Sequence, residues 1–268
     1  MTNSPKGRVL IIAGSDSGGG AGIQGDIKAV TALGGFAMTA VTAITVQNTM
    51  GVFDVHPVPL PIITDQIACV TRDLGLDAVK TGMLGNVEIV EGVAEALQTY
   101  TKGAPRVIDP VMIAKSGHPL LEARAIGAVK SLMIPLASLL TPNAPEAERL
   151  TDLSVDGING QRRAAERLLR LGASGVLVKG GHIAGTTFSD VLATHKGEVF
   201  FETQRMNTTS THGTGCTLAS AIAAHLSQGV ELEEAVERAR AYLLQAMLTA
   251  PGFGKGHGPL NHAWPVQN

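Results

Sequence analysis

Polar side chains follow three of the short apolar segments in this sequence. Asp109 ends the first segment, Asn143 and Glu146 follow the second, and Lys179 ends the third. Carboxylate and amide oxygens are ligands that Mg²⁺ prefers, and a lysine can neutralise a phosphate. Together these residues predict a site for a magnesium ion and a triphosphate. For Asn143 and Glu146 the alternative is a helix N-cap with an acidic residue in the first turn, which the spacing also fits.

A second candidate is the sequence THGTGC, which leads directly into a helical pattern. The glycines, Gly213 and Gly215, let the backbone approach a ligand closely. The first-turn amides of a helix, here those of Thr214 and its neighbours, have no partner inside the helix and can bind developing negative charge. We therefore expect an anion hole at this point. We also expect the helix field to lower the pKa of the Cys216 thiol.

Two further segments have the composition of ligand-binding turns. The turn GSDSGGGAG at 14–22 lies between a strand pattern and a helix pattern, where backbone amides can face an anion or a polar ligand. Its GxGxxG match lacks the acidic residue that a dinucleotide site needs about 20 positions later. Gln47 offers an amide that donates and accepts at once, as recognition of a heteroaromatic ring edge requires. An ordinary turn is the alternative interpretation of both.

Alternating strand and helix patterns predict how these residues are positioned. Continuous apolar strands separated by helices indicate a parallel sheet covered on both faces, and ligands bind at the carboxyl edge of such a sheet. We predict strands at 9–13, 37–46, 78–81, 106–109, 138–141 and 176–179. We predict helices at 23–33, 62–74, 87–100, 121–133, 144–150, 162–171, 217–226 and 231–248.

The pattern changes after residue 185. Two strand-like segments, 190–195 and 198–204, are joined by Lys196 and Gly197, which predicts a β-hairpin at the sheet edge. No repeat, low-complexity tract or linker interrupts the chain. We therefore expect one α/β domain over residues 1–268.

Composition excludes several classes of function. The chain has 268 residues, of which 44% are hydrophobic and 16% charged, with a formal net charge of −2. A disordered chain would show low hydrophobicity and high net charge, and a nucleic-acid-binding protein would show a basic excess. The apolar segments are too short to cross a membrane. We expect a protein that binds neither nucleic acid nor membrane.

The two cysteines, Cys69 and Cys216, lie far apart and lack the spacing of a disulfide framework or a zinc site. A reducing compartment is the simplest explanation, so we expect a cytoplasmic protein. For Cys69 we expect an inert, buried side chain within a helix.

These motifs, in this order, resemble the ribokinase-like small-molecule kinases, and specifically the hydroxymethylpyrimidine/phosphomethylpyrimidine kinases of thiamin biosynthesis. The resemblance spans nearly the whole chain. It implies a three-layer α/β fold of the ribokinase-like type, with a mostly parallel central sheet, helices on both faces and a β-hairpin at the edge. The segments that carry it are AGSDSGGGAGIQ at 13–24, VQNT at 46–49, KTGML at 80–84, DPVM at 109–112, LTPN at 140–143, VKGGH at 178–182, HGTGCT at 212–217 and GHGP at 256–259.

The resemblance implies a kinase with ATP as co-substrate and Mg²⁺ as metal. Its small-molecule partner would be 4-amino-5-hydroxymethyl-2-methylpyrimidine, phosphorylated first to the monophosphate and then to the pyrophosphate. The roles implied by position are Gln47 at the ring edge, Gly14, Asp26, Met83 and Val111 in the substrate pocket, Asp109 and Glu146 at magnesium, Asn143 and Lys179 near the phosphates of ATP, and Gly213, Thr214, Gly215 and Cys216 at the transferred phosphoryl group. Cys216 stands where most ribokinase-like kinases have an aspartate base.

Other functions stay open at this point. Some pyridoxal kinases resemble the same branch, and pyridoxal shares with the pyrimidine a flat heteroaromatic ring that bears a hydroxymethyl group. A non-catalytic binding protein on this fold would keep the ring pocket but should lack the charged strand ends. A thiol hydrolase would use Cys216 with His212 as its base and would need no ATP. The resemblance and the edge hairpin also lead us to expect a homodimer.

Overall fold

A large mixed sheet forms the centre of the molecule in the computed structural model, which describes residues 4–114 and 117–266. The strands are β1 (Arg8–Ala13), β2 (Phe36–Val41), β3 (Ala43–Asn48), β4 (Gly51–Pro57), β5 (Ala78–Thr81), β6 (Arg106–Ile108), β7 (Leu139–Leu140), β8 (Gly175–Val178), β9 (Thr187–Thr194) and β10 (Gly197–Gln204). Eight of them form one sheet in the order β10-β9-β8-β7-β6-β5-β1-β2. The six strands from β8 to β2 are parallel, and β9 and β10 form an antiparallel hairpin at the edge. The predicted sheet and its edge hairpin are confirmed.

Helices cover both faces of this sheet, as predicted. They are α1 (Gly22–Ala32), α2 (Leu60–Asp73), α3 (Val87–Tyr100), α4 (Ala125–Ala128), α5 (Ala144–Thr151), α6 (Ile158–Arg170), α7 (Thr214–Ser227) and α8 (Leu232–Leu248). Because successive side chains of a strand point to opposite faces, Leu10 and Ile12 of β1 join a core with α2, α3 and α6. Val9 and Ile11 join a second core with α1, α7 and α8. Within the described part of the chain, no helix combines the length and apolar character that a membrane span needs.

The segment 37–46, predicted as one strand, is two strands in different sheets. The chain leaves the large sheet at Thr42, whose N–H donates to the carbonyl of Ala13 at 3.0 Å. It comes back to Thr42 at Val58, whose N–H donates to the Thr42 carbonyl at 3.0 Å, and then enters α2. Between these points β3 pairs with β4, a strand that the sequence did not predict. The prediction is wrong here because apolar alternation continues through the bend, so residue types do not mark the change of sheet.

The small sheet of β3 and β4 has one inner and one outer face. Ala43 and Thr45 are buried against the rest of the molecule, whereas Ile44 and Val46 are 56% and 58% exposed. Phe53 of β4 is 64% exposed. The outer face therefore exposes large apolar side chains to solvent, next to the exposed Asp54 and His56, which pair with Val46 and Ile44.

The segment 121–133 is not the regular helix that the sequence predicts. α4 is a single turn, and it continues as a π-helical turn at Val129–Met133 and a 3₁₀ turn at Ile134–Leu136. Pro135 lacks an N–H and cannot extend α-helical hydrogen bonding. Leu121, expected inside the helix, forms a bridge with Gly85 instead.

Candidate active site

The carboxyl ends of β6, β7 and β8 bring two of the predicted charged residues together. Asp109 follows β6, and its Oδ1 accepts hydrogen bonds from Lys179 Nζ and from the Thr141 hydroxyl, both at 3.1 Å. Burial alone would lower the pKa of Lys179, but the carboxylates of Asp109 and Glu146 raise it above its ordinary value. The structure therefore holds a buried ammonium–carboxylate pair at the edge where α/β sheets bind ligands.

Asn143 and Glu146 form a capping box at the start of α5. Asn143 Oδ1 accepts from the Glu146 N–H at 2.9 Å, and Glu146 Oε2 accepts from the Asn143 N–H at 2.8 Å. The N-cap interpretation is thus part of the structure. Burial, supported by the charge of Asp109 and opposed by Lys179, also raises the pKa of Glu146 to about 7. The same carboxyl group caps a helix and belongs electrostatically to the charged cluster.

The predicted anion hole lies at the start of α7, beside this cluster. Gly213 is the N-cap residue with φ of 81°, and Thr214, Gly215 and Cys216 form the first turn. A Cβ on Gly215 would lie 3.5 Å from Lys179 Nζ and 3.7 Å from Asp109 Oδ2. The positive end of the helix therefore adjoins the ion pair, an arrangement that suits an anionic ligand.

The thiol of Cys216 is not activated as the sequence predicts. Burial raises its pKa to about 11, and although the Lys80 ammonium acts in the opposite direction, Asp26 and Asp109 add to the rise. The prediction of a lowered pKa is wrong because a helix field does not outweigh burial and two nearby carboxylates. Cys69, expected to be buried, is exposed on α2.

Asp26, placed by the resemblance in the substrate pocket, lies in a buried ion pair. Its Oδ2 accepts from Lys80 Nζ and its Oδ1 from the Ser220 hydroxyl, both at 2.7 Å. Both charged side chains are 0% exposed. Burial raises the pKa of Asp26, whereas the pKa of Lys80, which burial alone would lower, is raised by the Asp26 carboxylate. The structure thus uses Asp26 to join α1, β5 and α7, and its carboxylate faces protein groups.

The glycine-rich turn binds a carboxylate of its own. Asp16 Oδ1 accepts from the Gly18 N–H at 2.8 Å, and its Oδ2 accepts from Gly20 at 3.0 Å and Ala21 at 2.8 Å. His212 Nε2 lies 2.7 Å from the same Oδ2. Burial opposes ionisation, but His212 and these amides hold the pKa of Asp16 below its ordinary value. These turn amides, which we expected to face an external ligand, therefore donate to the Asp16 carboxylate instead. An acidic residue inside a glycine-rich segment is the sequence feature that could have indicated this.

Gln47 lines a small cleft together with His212 and His257. Its Oε1 accepts from the Thr45 hydroxyl at 3.2 Å, and its Nε2 lies 3.5 Å from His212 Nε2. A carboxylate only accepts, so His212 Nε2 carries the proton that it donates to Asp16. Both nitrogens are then donors, so His212 Nε2 cannot accept a hydrogen bond from Gln47 Nε2. The Gln47 Nε2 is therefore available to a ligand.

The other predicted pocket residues lie in two places. Val111 lines a second small cleft together with Asp109. Gly14 packs against Met83, since a Cβ at Gly14 would lie 3.1 Å from the Met83 sulfur. The structure thus places Val111 near the charged cluster and the Gly14–Met83 contact outside both clefts.

Among residues 4–114 and 117–266, no group of three or more His, Cys, Asp or Glu side chains is placed to hold a metal. Magnesium is usually bound through one or two carboxylates together with substrate phosphates. Asp109 leaves its Oδ2 outside the bonds to Lys179 and Thr141, and Glu146 supplies a second carboxyl group nearby. These two residues therefore fit a magnesium ion that arrives with phosphates.

Comparison with known proteins matches the chain to one family. A family model described as phosphomethylpyrimidine kinase matches residues 16–261. The hydroxymethylpyrimidine/phosphomethylpyrimidine kinase of Haemophilus influenzae is 46% identical, covering 95% of this chain and 96% of that protein. The Bacillus subtilis protein of the same name is 45% identical, covering 95% and 94%. The thiamine biosynthesis bifunctional protein ThiED of Geobacter sulfurreducens is 47% identical over 96% of this chain, which spans about half (52%) of that protein.

Solved structures with the same fold include both pyridoxal kinases and a phosphomethylpyrimidine kinase. A pyridoxal kinase from Bacillus subtilis, in complex with ADP, superposes with a TM-score of 0.90 at 33% identity, covering 98% of this chain and 100% of that chain. A phosphomethylpyrimidine kinase from Clostridium difficile superposes with a TM-score of 0.80 at 41% identity, covering 90% and 99%. The three-layer architecture is thus confirmed, and sequence identity is higher to the pyrimidine kinase.

Proposed function

The chain belongs to the phosphomethylpyrimidine kinase family, and from this premise we infer that it is a hydroxymethylpyrimidine/phosphomethylpyrimidine kinase. It uses ATP to phosphorylate 4-amino-5-hydroxymethyl-2-methylpyrimidine, first to the monophosphate and then to the pyrophosphate. The observation that carries this function is the ion pair of Lys179 and Asp109 beside the N-terminus of α7. Phosphoryl transfer depends on positioning and on charge stabilisation, and this arrangement can supply both.

We propose that Lys179 and the backbone amides of residues 213–216 hold the transferred phosphoryl group. The Lys179 ammonium is largely shielded from water, where its interaction with a phosphate is stronger than at an exposed site. The first-turn amides add donors and the helix field. Asn143 is proposed to lie near the phosphates of ATP; its Oδ1 is used in the cap, which leaves its Nδ2 as a donor.

Asp109 and Glu146 are the proposed magnesium ligands. When bound, the ion neutralises negative charge on the phosphate oxygens. The Glu146 carboxyl must be deprotonated for this role, and its pKa of about 7 places that change near neutral pH. Asp109 also keeps Lys179 in place, so its carboxylate positions both the lysine ammonium and the magnesium ion.

Cys216 is the proposed acceptor of the proton from the substrate hydroxyl. With a pKa of about 11, only a minor fraction is thiolate at neutral pH. We therefore assign most of the catalysis to positioning and charge and a smaller part to Cys216. The raised pKa, together with a His212 Nε2 that is engaged by Asp16, also argues against a thiol hydrolase.

Gln47 is proposed to read the aminopyrimidine edge, because its amide both donates and accepts. Gly14, Met83 and Val111 are further proposed substrate contacts; Val111 lies in the cleft of Asp109, and the Gly14–Met83 contact lies outside both clefts. Asp26 supports the proposed pocket indirectly: its carboxylate is paired with Lys80 and does not contact the ring.

Pyridoxal kinase remains the alternative, since a pyridoxal kinase superposes with a TM-score of 0.90. Sequence similarity favours the pyrimidine: in structural superposition the chain is 41% identical to the phosphomethylpyrimidine kinase of Clostridium difficile and 33% identical to the pyridoxal kinase of Bacillus subtilis. A coupled ADP-release assay with the hydroxymethylpyrimidine, its monophosphate and pyridoxal, each offered alone, tests both functions. We expect release with the first two above the ATPase background. Faster release with pyridoxal would favour the alternative, and no release with any substrate would overturn the kinase function.

We propose that two chains associate through the outer face of the small sheet. Ile44, Val46 and Phe53 are large apolar side chains that are more than half exposed there, and burying such a surface favours association. The sequence led us to expect a homodimer from the resemblance and the edge hairpin, and the exposed apolar side chains of the small sheet add a second candidate surface. Light scattering after gel filtration should give twice the chain mass, and Val46→Lys should shift it to the monomer. A monomeric wild type would refute the proposal.

A single catalytic domain and a cytoplasmic location stay predictions. The first is supported by the central sheet, in which β1 lies between β2 and β5 while the late strands β9 and β10 extend the opposite edge.

A further inference from the structure

We propose that Asp16 is a positioning residue which, through His212, sets the anion-hole turn at the start of α7 relative to the ring-binding Gln47. The proposal rests on the proposed function, which places phosphoryl transfer at α7 and ring recognition at Gln47. It concerns a side chain that is 1% exposed and therefore acts through other groups and not on the substrate.

The tie to the anion hole is rigid because two backbone segments pack directly together. A Cβ on Gly213 would collide with the Gly20 carbonyl, and a Cβ on Gly20 would collide with the His212 ring. Asp16 bridges the same two segments, since its Oδ2 accepts from the Gly20 N–H at 3.0 Å and lies 2.7 Å from His212 Nε2. The position of Gly213 is thus set by the turn that Asp16 organises.

The next residue along the turn makes the second tie. The Ser17 hydroxyl donates to the Gln47 carbonyl at 2.8 Å and accepts from the Gln47 N–H at 2.9 Å. Adjacent residues therefore hold the two functional ends: Asp16 holds the turn before α7, and Ser17 holds the ring-binding strand. The distance between ring recognition and phosphoryl transfer is fixed through this one turn.

A carboxylate is the side chain that this junction requires. Asp16 accepts four hydrogen bonds, from three amides and from His212, through its two oxygens. An asparagine has one carbonyl oxygen, and its NH₂ group would face a donor. With its oxygen at the Oδ2 position an asparagine would still accept from His212 and lose only the bond from Gly18. Asp16→Ala removes both acceptors and is therefore the variant that breaks the junction.

Kinetics of three single variants and one double variant test the proposal. We expect Asp16→Ala and His212→Gln each to lower kcat by about tenfold, because the misplaced groups act in the transition state. KM for the pyrimidine should change less than about threefold in Asp16→Ala, whose side chain is buried outside the Gln47 cleft. The double variant should be no slower than either single variant, since both break one connection. Ser17→Ala is the matched control and should raise KM for the pyrimidine with little change in kcat. Multiplying effects in the double variant, or equal kcat losses in all three single variants, would overturn the proposal.

NMR tests the connection between Asp16 and His212 without measuring activity. Long-range proton–nitrogen NMR of ¹⁵N-labelled protein, with His212 assigned by its loss in His212→Gln, should show the proton on Nε2 in the wild type and both tautomers in Asp16→Ala. An unchanged tautomer in Asp16→Ala would refute the connection. If wild type lacked kinase activity but showed the expected tautomer change, the proposed function would fail while the Asp16–His212 connection stood. If Asp16→Ala does not fold, His212→Gln, which leaves the three amide bonds to Asp16 intact, carries the kinetic test.

Discussion

The two ends of the candidate site are built in different ways. At the phosphoryl end, Asp109, Glu146 and Lys179 are charged, largely buried and fixed by the carboxyl edge of the central sheet. At the ring end, Gln47 is neutral and half-buried, and it lies on a two-stranded sheet outside that frame. Buried charges need partners to stay ionised, so each one depends on the others. A neutral amide depends only on its local backbone.

This difference predicts different consequences of substitution. Removing one charge at the phosphoryl end leaves its partner uncompensated and removes stabilisation of the transition state. Changing the amide at the ring end removes hydrogen bonds to one substrate and leaves the phosphoryl end intact. We therefore expect kcat to report on one end and KM for the pyrimidine on the other.

The largest effect is expected from Lys179→Met. It removes the charge next to the proposed phosphoryl position, and we expect kcat to fall by about 10³-fold, as for loss of a preorganised charged donor. The ADP-release assay measures it, with Lys196→Met, an exposed lysine of the edge hairpin, as control. A loss below about tenfold would mean that the phosphoryl end is not the site of charge stabilisation.

Glu146→Gln tests, through the pH dependence of stability, whether the buried Glu146 carboxyl has a raised pKa. In the folded protein the pKa of Glu146 is about 7 against an ordinary 4.5, so between these values the folded state binds more protons than the unfolded state. Stability of the metal-free protein should therefore fall as pH rises through this window, by at most about 3 kcal/mol from this group. Glutamine preserves the capping box and does not titrate, so the variant should lose that part of the slope.

Urea unfolding at a series of pH values in the presence of a chelator measures this slope. Glu88→Gln, at an exposed acid in the first turn of α3, is the control and should keep the wild-type slope. Parallel pH profiles of Glu146→Gln and wild type would contradict the raised pKa.

Gln47→Ala should act on the ring end alone. Loss of about two hydrogen bonds to the ring should raise KM for the pyrimidine by roughly 30-fold, with kcat within about threefold of wild type. Steady-state kinetics with saturating ATP measure both constants, and Gln98→Ala, at an exposed glutamine of α3, is the control. A fall in kcat with unchanged KM would mean that Gln47 acts at the phosphoryl end and not at the ring end.

Cys216→Ser should have the smallest effect, a fall in kcat of about tenfold or less, because positioning and charge supply most of the catalysis in phosphoryl transfer. Single-turnover rates at saturating substrate measure it. A loss as large as that of Lys179→Met would show that proton transfer to the thiol limits the reaction. Proton transfer would then determine the rate alongside the phosphoryl end and the ring end.

The phosphoryl end was largely predictable from the sequence. Asp109 and Lys179 follow continuous apolar strands, and parallel strands end at one edge of a sheet, so local patterns were sufficient to bring them together. Gly213 and Gly215 were likewise identified from their position before a helical pattern. What the pattern could not give was the pKa of Cys216, which depends on burial and on carboxylates from other elements.

The ring end was less predictable, for a physical reason. Asp16 and His212 are 196 residues apart, and which group binds a carboxylate is decided by tertiary packing. The same applies to Lys80 and Asp26, whose pairing joins a strand and a helix. The departure of the chain from the large sheet at Thr42 leaves no signal in residue type, since β-branched and apolar residues suit either sheet.

That departure makes the ring-binding segment an exchangeable unit. Residues 43–57 leave the central sheet at Thr42, and Val58 comes back to Thr42 through a 3.0 Å hydrogen bond. A segment whose ends already meet can be replaced by another without altering the strand before it or the helix after it. The proposed ring contact of Gln47 can thus change during evolution, or by grafting, through one short segment that keeps the bonds to Ser17, while the proposed phosphoryl-binding groups are inherited unchanged.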